Sequence, residues 1–112
     1  MSKNDKSNNK SHMKESFGSF IKKLRVENNL TLTQLAAKLD LDSANLSKIE
    51  NGKRDFDEKR LVLLANTFNI EIDEVKKEYL GDFIAQKIYN TNYSEEILLV
   101  EEEKVKYLRS VN

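Results

Sequence analysis

Apolar side chains enter the chain in strength at Phe17, and from there they recur at helical rather than strand spacing. Phe17, Phe20, Ile21 and Leu24 line one face of a first helix, with Lys22, Lys23 and Arg25 between them. Asn28-Asn29 offers it a left-handed stop. Thr31-Leu32-Thr33-Gln34 has the form of a capping box, Thr at the N-cap and Gln three residues on, so a second helix follows through Leu35, Ala36 and Leu39. Asp40-Leu41-Asp42 breaks that helix. Asp42 or Ser43 caps a third, short one with Leu46 and Ile49 inward, and Asn51-Gly52 ends it. After a polar loop from Lys53 to Asp57, Asp55 or Asp57 caps a fourth helix that buries Leu61, Leu64, Ala65 and Phe68. Asn69 ends it, and Ile70 and Ile72 face the core from the connector. Asp73-Glu74 suits the start of a fifth helix, with Val75, Tyr79, Leu80, Phe83, Ile84 and Ile88 apolar and Gly81 a weak point. Asn90-Thr91-Asn92 reads as a turn, and Ser94-Glu95-Glu96 starts a last helix to about Arg109. No strand alternation or internal repeat stands out, so the expected class is all-α.

Composition narrows the function classes. A chain of 112 residues with 38% hydrophobic positions fits one compact core with little to spare. The absence of Cys removes disulfide frameworks and thiolate metal sites. His12, the sole His, lies in the polar leader, so no metal or catalytic role is expected for it. No Gly-rich phosphate loop, nucleophile–base pair or ligand spacing occurs, so neither an enzyme nor a cofactor is expected. No run approaches about 18 apolar residues, and the N-terminus is polar, so we expect no membrane segment, no secretory signal and a cytoplasmic location.

The net charge is zero, which alone argues against a polyanionic partner. Its distribution changes that picture. Residues 1–60 carry 13 Lys/Arg against 9 Asp/Glu, a net of +4, and residues 61–112 carry 6 against 10, a net of −4. A basic half and an acidic half suit a molecule that offers only one face to such a partner.

The informative stretch is 31–52. Two short helices joined by about three residues must cross closely, and Ala36 permits the approach. Ser43, Ala44, Asn45, Ser47, Lys48 and Asn51 are left on the outward face of the third helix, all small or polar. A major groove admits one α-helix, and base edges are read there by side chains of this kind. The run FGSFIKKLRVENNLTLTQLAAKLDLDSANLSKIENGKR resembles the Xre/lambda-repressor-like helix-turn-helix family (Cro/C1 type) of transcriptional regulators. The likeness covers roughly residues 17–75 and is most specific at Leu35-Ala36, Leu46-Ser47 and Ile49-Glu50-Asn51-Gly52.

That resemblance implies a compact five-helix domain that binds operators in double-stranded DNA, usually as a dimer. It places Ser43, Ala44, Asn45, Ser47 and Lys48 at base-reading positions, and Thr31, Thr33, Asn51, Lys53 and Arg54 at phosphates. It also implies a structural ion pair between Arg25 and Glu50, with direct contact of Arg25 to phosphate as the alternative. Two positions depart from the pattern. Leu32 stands where the family often carries a DNA-contacting Gln, and is expected to pack. Asp40 stands where the turn usually has Gly.

The expected layout is a disordered arm over 1–16, a DNA-binding domain over 17–78 and a helical dimerisation segment over 79–112. The arm has two readings. One is a native basic segment with Lys3, Lys6, Lys10 and Lys14 tracking DNA. The preferred one is an inert leader, because Ser11-His12-Met13 looks like a cloning junction. Apolar positions in the last segment exceed what five helices need, which marks an interface at Phe83, Ile84, Ile88, Leu98, Val105 and Leu108. The functional expectation is a dimeric regulator on a pseudo-palindromic operator, with restriction–modification control or autoregulation as sub-readings. The alternative is an antitoxin or interaction module whose C-terminal segment binds a protein partner.

Overall fold

A computed structural model describes residues 15–91 and 96–111 of the chain. The expected arm therefore lies outside the described residues up to residue 14, as do Asn92 of the expected turn and Ser94-Glu95 of the expected last-helix start. All regular structure among the described residues is helical: α1 (Phe17–Glu27), α2 (Leu32–Lys38), α3 (Ser43–Glu50), a 3₁₀ turn (Glu58–Arg60), α4 (Leu61–Phe68), α5 (Ile72–Thr91) and α6 (Glu96–Val111). The chain divides into two compact units, one ending at Asp82 and one beginning at Phe83.

In the first unit the helix starts are set by local side chains. Ser16 accepts from the Ser19 N–H, so it belongs to the fold as the cap of α1 rather than to a disordered arm. The Thr31–Gln34 capping box forms in both directions. Asp42 takes the cap of α3. Asp57 caps the 3₁₀ turn that leads into α4, rather than α4 itself.

The helix ends share one device. Asn29, Asp40, Gly52 and Asn69 all have positive φ, between 54° and 76°. In each case the following N–H reaches back a full turn: Leu30 to Arg25, Leu41 to Ala36, Lys53 to Lys48 and Ile70 to Ala65, at 2.8–3.0 Å. These are Schellman ends, which satisfy carbonyls the helix leaves open. Three of them throw an apolar residue, Leu30, Leu41 or Ile70, against the core.

Ile21, Leu35, Leu39, Leu46, Leu64 and Val75 are fully buried, joined by Phe17, Ala36, Ile49, Phe56, Leu61 and Ala65. Phe56 corrects the reading of 53–57 as a wholly polar loop, since its ring lies 5.6 Å from that of Phe17. Tyr79 corrects the boundary placed after residue 78. It packs edge-on against Phe17 at 5.2 Å, and its hydroxyl donates to the Phe56 carbonyl at 3.2 Å. Asp82 also serves this unit, accepting from the Phe17 N–H at the positive end of α1. Where α1 meets α3 the backbones nearly touch, and a Cβ on Gly18 would strike the Ile49 carbonyl oxygen.

α5 runs without a break through Gly81 to Thr91, so the expected turn does not begin at Asn90. α6 continues to Val111, two residues past the expected end. Within the second unit, Ile84, Ile88, Ile97 and Val105 are half-buried, and none of its described residues is fully buried.

Candidate nucleic-acid interface

α2 and α3 lie across a turn that Asp40 makes possible with φ of 57°. Leu39, Leu46 and Ile49 turn inward and hold the pair on the core. Leu32 is half-buried against the same core, as its apolar side chain requires, so no polar group stands at that position. Ala44 and Lys48 are exposed, and Ser43, Asn45 and Ser47 are half-buried along the same helix. Thr31, Thr33, Asn51, Lys53 and Arg54 are exposed around it.

α3 is fixed from behind by an ion pair. Arg25 of α1 meets Glu50 through two bonds, Nε to Oε2 at 2.8 Å and Nη2 to Oε1 at 3.1 Å. A third bond from Arg25 Nη1 reaches the Leu30 carbonyl at 3.0 Å. Guanidinium and carboxylate share a fork geometry, so the pair sets orientation as well as distance. Arg25 is therefore committed to the fold rather than to a phosphate.

The polar residues of the interface are partly tied to one another. Thr31 Oγ1 accepts from the Gln34 N–H at 3.1 Å, which leaves its own hydroxyl hydrogen to donate outward. The Asn51 side chain donates to the Ser47 carbonyl at 2.9 Å. Asn45 is held on both sides. Its Nδ2 donates to Asp42 Oδ2 at 3.0 Å, and its Oδ1 accepts from Arg54 Nη1 at 2.8 Å. Lys53 and Arg54, expected to act together, thus differ: the Arg54 side chain turns back to the first turn of α3.

The helix-turn-helix family profile matches residues 21–75, the segment that holds this interface. That segment belongs to the helix-turn-helix family. Over 40 residues it is 50% identical to the HTH-type transcriptional repressor RghR of Bacillus subtilis (strain 168). That stretch is 36% of this chain and 30% of the repressor, so the chain spans under a third of the relative's length. Two crystal structures of the clp gene regulator ClgR of Corynebacterium glutamicum share the fold. One has a TM-score of 0.50 and 22% identity, covering 62% of this chain and 90% of that one. The other has 0.51 and 21%, covering 82% and 93%.

In this helix-turn-helix chain the loop after α3 is anchored by two residues that pattern reading did not assign to the site. Phe56 plugs it into the core, and Tyr79 ties down its carbonyl. A lone Phe between Asp55 and Asp57 was the available signal. Burial, then the carboxylates of Glu58, Asp55 and Asp57, push the Tyr79 phenol above its ordinary value of 10.0. Among the described residues no group of three or more His, Cys, Asp or Glu is placed to hold a metal ion. None of the described helices is long and apolar enough to cross a membrane.

Of the expected dimer residues, Phe83, Leu98 and Leu108 are exposed, and Ile84, Ile88 and Val105 are half-buried.

Proposed function

We propose that this helix-turn-helix chain is a sequence-specific transcriptional regulator that binds double-stranded DNA through α3, and that it is not an enzyme. The observation that carries the reading is the outward side of α3, where Ala44 and Lys48 stand exposed and no large apolar residue intrudes. Ser43, Asn45, Ser47 and Lys48 discriminate bases, and Ala44 allows close approach to the groove floor. Thr31, Thr33, Asn51 and Lys53 set the register against phosphates.

We further propose that two copies act together, with the second unit as the joint. The end of α5 after Asp82 and α6 bury none of their described residues fully, so they cannot hold a core of their own. Phe83, Leu98 and Leu108 offer apolar surface to a second copy, and Ile84, Ile88 and Val105 are half-buried. Two α3 helices would then enter successive major grooves about 34 Å apart on a pseudo-palindrome. A cytoplasmic location follows from this reading.

Selection of bound sequences from random duplex DNA, with the full chain, tests the proposal. A two-fold-symmetric motif is expected, with log affinity falling against log salt at about −0.9 per phosphate contact. Failure to enrich any motif at moderate salt overturns it. The second reading, an antitoxin-type module whose C-terminal helix binds another protein, rests on the same exposed apolar residues. It gains if the chain sediments as a monomer at micromolar concentration.

A further inference from the structure

We propose that Arg54 reads a guanine beside the base contacted by Asn45, and so determines specificity rather than anchoring a phosphate. The inference rests on the DNA-binding reading above. By position in the chain, Arg54 belongs with Lys53 in the stretch that follows α3, where a basic side chain usually meets the sugar–phosphate backbone. Its guanidinium is elsewhere. Nη1 lies 2.8 Å from Oδ1 of Asn45, a residue in the first turn of α3. In helix-turn-helix docking it is this N-terminal end of the recognition helix that meets base edges.

Three further features hold the guanidinium there. The Lys53 N–H is bonded to the Lys48 carbonyl at 2.8 Å, so the Arg54 side chain starts from a fixed point of backbone. Asn45 is itself locked, since its backbone N–H and its Nδ2 both donate to the Asp42 carboxylate, at 2.7 and 3.0 Å. Its amide oxygen is thereby kept as the acceptor for Arg54. A guanidinium carries five N–H donors in a rigid fork, and one is spent on Asn45. The others can present a bidentate edge, which guanine meets with O6 and N7. Asn45 keeps an amide hydrogen and an oxygen lone pair for the neighbouring base. Asp42, Asn45 and Arg54 thus form one preassembled reading unit, with Arg54 at its outer end.

The test is sequence selection with the unaltered chain, Arg54→Ala and Arg54→Lys, each checked for an unchanged circular dichroism spectrum and melting temperature. Arg54 is exposed, so neither substitution should disturb folding. The expected result is that both variants flatten one G·C column in each half-site and keep the others. Preference for G·C at that column should fall between about five- and a hundred-fold, as for loss of one bidentate contact. Lys does not restore it, because it brings charge without the fork.

A phosphate role predicts the opposite: Arg54→Ala weakens all sequences alike, lowers the salt slope by about 0.9 and is rescued by Lys. That pattern overturns the assignment, as does a variant indistinguishable from the unaltered chain. If the unaltered chain itself enriches no motif, the DNA-binding reading has failed first and the assignment falls with it.

Discussion

Replacing Arg25 by Ala should be among the most damaging single changes in the chain. It leaves the Glu50 carboxylate, whose side chain is only 3% exposed, without its partner. Breaking a buried pair from one side costs about 3–5 kcal/mol, because the remaining charge stays desolvated. Urea unfolding of Arg25→Ala checks this, and a joint replacement of Arg25 and Glu50 by Met should lose much less. Tyr79→Phe tests a second residue. Loss of the bond to the Phe56 carbonyl should cost about 1 kcal/mol at pH 7. The folded chain holds the Tyr79 proton more tightly than the unfolded one. Its share of stability is therefore complete below pH 10 and is lost as pH rises through the raised value. Tyr79→Phe should lack that part of the alkaline decline in a series of melts. Residues with local partners were legible in the sequence, as the Thr31–Gln34 box was. Contacts between distant positions were not. Arg25–Glu50 followed only from resemblance, and Asn45–Arg54 from nothing in the spacing, because a long flexible side chain can reach several partners.

At the scale of elements, the helix ends and the closest helix crossing give the sharpest expectations. Asp40 holds φ of 57° on a residue with a Cβ, in a turn where glycine would be unstrained. Asp40→Gly should therefore raise stability modestly, by roughly 0.5 kcal/mol once the added freedom of the unfolded chain is subtracted. Gly18→Ala goes the other way. The new methyl group meets the Ile49 carbonyl, and backbone cannot yield as a side-chain tip can. A loss of about 1–3 kcal/mol is expected from thermal melts, as for overpacking elsewhere. DNA affinity should also fall, because the displaced backbone belongs to α3. Most elements could be read from periodicity and caps, since both are local. The last residues of α5, Asn90 and Thr91, could not, because Asn and Thr allow a helix as well as a turn. Phe56 was missed for the converse reason: a single apolar residue among charges has no period, although the core has a place for it.

For the whole molecule, the two compact units have separate tasks in the proposed regulator. Leu98→Glu with Leu108→Glu should shift sedimentation from dimer to monomer and leave the melting of the first unit almost unchanged. Operator affinity should drop steeply in that variant, because each copy then binds one half-site alone. The contact between Gly18 and Ile49 has a consequence for energetics as well. With the backbones of α1 and α3 in direct approach and Arg25 forked onto Glu50, α3 has one seating. A reading helix already in place meets its groove as a rigid body, and no segment of it has to order on contact. Titration calorimetry against operator DNA should then give a heat-capacity change in proportion to the interface area alone, without the surplus that accompanies coupled folding.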